Sequence, residues 1–409
     1  MTLRDRIDAD RPKRLLAVDG GGIRGVIALE ILGKLQSDLR RKLRDPKLVL
    51  ADVFDYISGT STGAIIAAGL ATGMSTDQLM ALYVDRGAEI FSKSGWTDRL
   101  RHSYDKEALE LILKDEVGAD TTLGSDSLQT LLMVVLRNAT TDSPWPVSNN
   151  PRARFNDRSL PDCNLDLPLW QLVRASAAAP TYFEPEVITL GDRKFVFADG
   201  CVTPFNNPAF QLFTMATLDS YRLGWPTGED NLLLVSVGTA NSEFARPDLE
   251  TSDMHLLYHA SATAGALMQS AAVHQDFLCR TLGRCLWGPP LDGEVGDLLS
   301  SKGLVEDRLF RYVRYDQPLN NETLGTWGWG RYALGMSWQS TTWVPWTTCV
   351  RSAGKSPRER STWITSRVSS TSAAPRTDLP AFLRSPSTRK RRCRKPSARR
   401  TRTDDSTQA

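Results

Sequence analysis

Residues 53–71 read VFDYISGTSTGAIIAAGLA. The opening VFDYIS (53–58) predicts a strand, and the small-residue run from Ala64 predicts a helix buried deep in a core. Between them Gly59-Thr60-Ser61-Thr62-Gly63 is a G-x-S-x-G turn. A turn of this kind lifts a serine to the carboxyl end of a sheet, and its small flanking residues permit the tight bend. The same string in a loop would mean little. At a strand-to-helix elbow it makes Ser61 a candidate nucleophile, with Gly59 and Gly63 as the elbow glycines.

The chain on either side repeats the strand–turn–helix pattern. RLLAVD (14–19) predicts a short buried strand. Gly20-Gly21-Gly22-Ile23-Arg24-Gly25 follows at once, and Val26, Leu29, Leu32, Leu35 and Leu39 then recur at helical spacing within 23–44. Glycines here let the backbone approach a ligand, and the amides at a helix start point toward negative charge. The string matches G-x-G-x-x-G, so a nucleotide site on Gly20–Gly25 is one reading. That template also wants an acidic residue about 20 positions on, at the end of a second strand. Asp45 and Asp52 fall in the interval, and neither clearly ends a strand.

Further along, Ser75 with Gln78 forms a capping-box pattern that opens a helix to about residue 91. Residues 128–137 predict a central strand, 140–160 a Pro- and Asn-rich loop, and 168–179 a helix ending at Pro180. KFVFAD (194–199) alternates as a strand, and NLLLVSV (231–237) is a near-continuous apolar strand, as in a sheet covered on both faces. Residues 253–283 predict a long helix, and the alternating RLFRYVRY (308–315) an edge strand. Strands alternating with helices specify an α/β fold: three layers, α/β/α, around a central, mostly parallel sheet.

A serine hydroxyl needs a base. The histidines are His102, His255, His259 and His274, and the last three lie in the helical stretch 253–283 and not on a loop after a strand. A Ser–Asp–His arrangement is one option. A direct Ser–Asp dyad is the other, and Asp199-Gly200 suits it because Asp199 closes the strand KFVFAD and Gly200 opens a turn. Taken alone, Asp-Gly is an ordinary turn signal.

Taken in order along residues 14–325, these elements resemble the patatin-like phospholipase family. The glycine run Gly20, Gly21, Gly22, Arg24, Gly25 resembles its oxyanion loop. Ser61 matches its nucleophile, and Asp199-Gly200 its catalytic Asp-Gly. Residues 174–183 (RASAAAPTYF) and Asn206-Asn207-Pro208 resemble two further family segments. Cys201 stands where the family usually has Gly or Ala. The resemblance implies a serine acyl hydrolase that cleaves fatty acyl esters through a Ser61–Asp199 dyad and a covalent acyl-enzyme, with neither metal nor other cofactor. The expected partner is a lipid or phospholipid at a membrane surface. A catalytically weak protein that keeps this fold is the other option the resemblance leaves.

Composition frames these expectations. Residues 331–409 hold 17 Lys/Arg against 4 Asp/Glu, a net +13, which leaves the first 330 residues with 33 against 43, a net −10. Only the tail would be drawn to anionic surfaces. Six of the eleven Trp fall between Trp327 and Trp363 without periodicity, and Ser, Thr, Pro and Arg follow in low-complexity order. Such a segment buries too little apolar area to offset its ordering entropy, so 326–409 is expected to be disordered. Residues 1–13 are set apart as an N-terminal extension. The basic cluster at 389–402 is read as a solvated tail, and no specific nucleic-acid partner is expected. The six cysteines are scattered without metal-ligand spacing, no apolar leader opens the chain, and no run approaches the ~18 apolar residues of a membrane span. A cytoplasmic location, with peripheral contact to a membrane, is expected.

Overall fold

A computed structural model of the chain describes residues 2–91, 102–180, 183–240 and 256–316. The predicted tail 326–409 lies outside the described residues. In chain order the elements are α1 (Leu3–Asp8), β1 (Lys13–Val18), α2 (Gly25–Leu43), β2 (Tyr56–Thr60), α3 (Thr62–Ala71), α4 (Thr76–Phe91), α5 (His102–Leu113), β3 (Leu131–Asn138), β4 (Ser143–Ser148), α6 (Leu169–Ser176), β5 (Glu186–Leu190), β6 (Arg193–Asp199), α7 (Ala209–Thr217), β7 (Leu232–Val237), α8 (Leu256–Leu282), β8 (Arg284–Trp287) and β9 (Arg311–Tyr315).

The strands form one sheet with neighbours in the order β5-β6-β3-β2-β1-β7-β9-β8, and β4 also lies on β3. The centre is parallel: β2 and β7 flank β1, and β3 and β9 extend the sheet on either side. Because side chains alternate along a strand, β1 divides its residues between two cores. Leu16 and Val18 join one with α2, α3 and α6. Leu15 and Ala17 join the other with α7. The sheet is therefore covered on both faces, which explains the continuous apolar runs of β3 and β7.

Residues 3–13 pack on this body. Thr2 and Asp5 cap α1 reciprocally. Ile7 is buried, its carbonyl accepts from Trp225 Nε1 at 3.2 Å, and Lys13 Nζ donates to the carbonyls of Arg6 and Ile7.

Two sequence expectations need correction. The loop expected over 140–160 contains β4, whose sequence SPWPVS pairs antiparallel with β3. Pro144 and Pro146 hide it, because proline cannot donate to a ladder and is tolerated only on an outer strand such as this one. The expected edge strand at 308–315 is β9, which lies between β7 and β8 with Tyr312, Val313 and Arg314 buried. Its alternating charges suggested a wet edge, but Arg314 is paired inside the sheet.

The strand that matters most for function is β3. A strand has two edges. β4 occupies one of them along Met133–Asn138. The other is shared: parallel β2 takes Leu131–Val135, and antiparallel β6 takes Leu136–Asn138. β2 and β6 thus meet nearly end to end. Thr60 is opposite Val135 and Asp199 is opposite Leu136, so the residue after Thr60 arrives beside Asp199.

Candidate active site

Ser61 sits between the end of β2 and the start of α3 at φ 56°, ψ −124°. A positive φ is strained for a residue with a side chain, and it turns Oγ out of the helix start. Close backbone packing holds the bend. A Cβ on Gly63 would come within 2.3 Å of the Val18 carbonyl, and one on Gly59 within 1.9 Å of the Gly63 carbonyl. The Ser61 amide donates to Ser176 Oγ at 2.9 Å, and that hydroxyl donates to the Val135 carbonyl at 2.6 Å. Thr60 Oγ1 donates to the Phe205 carbonyl at 2.7 Å.

Ser176 closes α6 inside the segment RASAAAP, and sequence reasoning gave it no role. Its hydroxyl satisfies two buried backbone groups at the elbow. Ser176→Ala is expected to lower stability by about 1–3 kcal/mol, because the Ser61 amide and a β3 carbonyl lose their partners. A fall in the urea midpoint at constant m value would measure it.

Ser61 Oγ donates to Asp199 Oδ2 at 2.7 Å. Asp199 is fully buried, and its Oδ1 accepts from the Cys201 amide at 2.7 Å. Burial pushes the Asp199 carboxyl up to about 6, against the opposing pull of the hydrogen bonds from Cys201 and Ser61. Gly200 follows at the start of a tight turn, packed so closely that a Cβ there would lie 2.2 Å from the Val135 carbonyl. Cys201 is buried too, and burial together with the Asp199 carboxylate raises its thiol, which stays protonated.

The glycine run lies at the carboxyl end of β1, beside this pair. The Gly20 amide donates to the Asn206 carbonyl at 3.1 Å, and its carbonyl accepts from Thr239 Oγ1 at 2.9 Å. Gly22 has φ +59° and open space where a Cβ would stand. The amides of Gly21 and Gly22 meet no acceptor among the described residues. Arg24 donates Nε to the Gly21 carbonyl at 3.3 Å and Nη1 to the Ala240 carbonyl at 2.8 Å, so it fastens the middle of the loop to the segment after β7. Gly25 opens α2.

The nucleotide template is not assembled. The acidic residue of that template closes the second strand, but β2 ends at Thr60, and Asp45 and Asp52 both precede its first residue, Tyr56, where they accept from the Lys47 and Val49 amides respectively. Of the histidines, His274 is exposed on α8, while His255 lies outside the described residues. Among the described residues no cluster of three acidic, His or Cys side chains could hold a metal ion, and no helix is long and apolar enough to cross a membrane.

Residues 16–213 match the family model described as patatin-like phospholipase, a span that includes the glycine run, Ser61 and Asp199. Residues 16–213 are a patatin-like phospholipase domain. It is 29% identical to a cGAMP-activated phospholipase of Escherichia coli (strain TW11681) over 58% of this chain and 65% of that protein. It is 31% identical to Patatin-17 of Solanum cardiophyllum over 50% of this chain and 53% of that protein. The chain thus spans between about half and two thirds of the length of these relatives. Among solved structures, VipD from Legionella pneumophila aligns at a TM-score of 0.34 and 16% identity over 76% of this chain and 62% of that one, too loosely to carry an argument.

Proposed function

We propose that this patatin-like chain is a lipid acyl hydrolase that cleaves fatty acyl esters of glycerolipids through a Ser61–Asp199 dyad. The observation that carries the reading is the 2.7 Å contact from Ser61 Oγ to the buried Asp199 carboxylate at a strained strand-to-helix elbow. The Escherichia coli relative is a phospholipase and the matching family model is that of patatin-like phospholipases, which supports a lipid as the substrate class.

In this mechanism Ser61 Oγ attacks the ester carbonyl carbon as its proton passes to Asp199. The tetrahedral oxyanion is received by the Gly21 and Gly22 amides, each such donor being worth roughly 3–4 kcal/mol. Collapse breaks the bond to the alcohol, which leaves with the proton from Asp199, and the acyl group remains on Ser61. Water then attacks the acyl-enzyme and gives a proton to the same carboxylate; collapse breaks the bond to Ser61 Oγ, which takes that proton back from Asp199, and the fatty acid is released. An ordinary aspartate is a weak base; a carboxyl raised to about 6 is better matched to a hydroxyl proton. The dyad requires no metal or organic cofactor. The enzyme would work in the cytoplasm at a lipid surface that it contacts peripherally.

The test is to treat the purified full chain with a fluorophosphonate serine probe and, in parallel, to measure fatty acid release from phosphatidylcholine vesicles. Labelling and release are both expected in the wild type. A folded chain that neither labels nor releases fatty acid overturns the reading.

A further inference from the structure

Behind the glycine run lies a buried cluster of charge that the proposed mechanism does not use. Asp19 closes the step from β1 to Gly20, and Arg314 and Asp316 stand at the end of β9; all three are buried. Arg314 grips the Asp19 carboxylate with two hydrogen bonds, Nη1 at 2.9 Å and Nη2 at 2.6 Å. The same guanidinium donates to Asp316 Oδ2 and to Ser236 Oγ, each at 2.7 Å. Asp316 Oδ1 in turn accepts from the Ala240 amide at 3.1 Å. The Ala240 carbonyl receives Arg24, whose Nε holds the Gly21 carbonyl.

One guanidinium therefore reaches the glycine run by two routes. Through Asp19 it fixes the residue before Gly20. Through Asp316, Ala240 and Arg24 it fixes Gly21. Ala240 is held at φ +62°, a conformation a side-chain-bearing residue keeps only when its surroundings impose it. We infer that Arg314 is a positioning residue for the ester hydrolysis: acting through Asp19 and Asp316, it sets where the Gly21 and Gly22 amides point. The inference rests on the dyad reading above. It also assigns work to residues well outside the 16–213 segment that matches the family.

Stability alone gives a poor account of the cluster. Taking several charges out of water is costly, and well-packed apolar residues of similar volume serve a core as well or better. Fixed hydrogen-bond geometry is what the ions add. The bidentate fork holds Asp19 in one orientation, as a single ammonium cannot. An oxyanion exists only in the transition state, so misaimed amides should slow turnover and leave substrate binding alone.

The experiment uses the full chain, with a p-nitrophenyl fatty acyl ester for kcat and KM and the fluorophosphonate for the rate of Ser61 capture. Arg314→Gln is expected to lower kcat between about tenfold and about a thousandfold, up to the loss of one oxyanion donor, with KM unchanged. Probe capture, in which attack on the tetrahedral phosphorus builds negative charge on its oxygen through a pentacoordinate centre before fluoride leaves, should slow by a similar factor. Arg314→Lys keeps the charge and loses the fork, so it should recover part of the rate. Asp316→Asn, of nearly the same shape, breaks only the second route and should lower kcat about tenfold if Gly21 depends on it. Folded variants with unchanged kcat, or with the loss in KM, overturn the inference and leave the dyad standing. Loss of fold in all three variants assigns the cluster to stability and overturns it as well. An inert wild-type chain overturns the dyad reading and this inference together.

Discussion

Ser61→Ala is expected to abolish ester hydrolysis, with a loss of about 10⁶-fold in kcat, the scale set by removing the nucleophile of a serine hydrolase. Alanine keeps the elbow backbone: the Ser61 amide still donates to Ser176, and the packing of Gly59 and Gly63 is untouched. The positive φ at 61 is no harder for Ala than for Ser. The variant should therefore fold normally, and fluorophosphonate labelling should vanish with the activity. His274→Ala provides the contrast. His274 is exposed on α8, so its loss should leave turnover unchanged under a Ser–Asp dyad. If His274→Ala were as inactive as Ser61→Ala, the dyad would be wrong. A folded Ser61→Ala chain that still turned over ester would assign the nucleophile elsewhere.

The elbow was legible because its signal is local. Strand, small-residue turn and uncharged helix lie within nineteen consecutive residues (53–71), and the physics of a tight turn is written in the glycines that make it. Asp199-Gly200 was legible in the same way, as the end of one alternating strand. Their meeting was not. It depends on β2 and β6 sharing one edge of β3 from opposite directions, a matter of register between segments far apart in sequence. β4 escaped notice because its prolines forbid an inner strand but not an outer one. Arg314 escaped because alternation in RLFRYVRY reads as one wet face and one dry face. Only the folded sheet shows Asp19 waiting on the supposedly wet side. Ser176 had no signal beyond a small residue in a run of small residues, and its use follows from where α6 docks against β3.

Asp199→Asn separates activity from stability, and the two should move in opposite directions. Asparagine can keep Oδ1 on the Cys201 amide and turn Nδ2 toward Ser61 Oγ as a donor, but it cannot take the hydroxyl proton. A loss of about 10⁴-fold in kcat is expected, the upper range for a general base. In the wild type, activity requires the ionised carboxylate, so kcat/KM should rise with pH through about 6 and level off above it. The stability effect has the reverse sign. Burial raises the folded-state value from 3.8 to about 6, so the folded chain binds this proton more tightly than the unfolded chain. The stability contributed by protonated Asp199 is complete below about 4 and is lost as pH rises through about 6, a cost of about 3 kcal/mol once the group is ionised. Asparagine never ionises. Asp199→Asn should therefore be more stable than wild type at pH 8 by up to that amount, and the advantage should shrink to nothing near pH 4. Asp19, also raised to about 6 by burial, titrates in both chains, so the difference between them isolates Asp199. Urea unfolding of the two proteins across this range measures it. A wild type as stable as the variant at pH 8 would mean that the ionised carboxylate is fully compensated by its hydrogen bonds, and that its basicity is not drawn from burial.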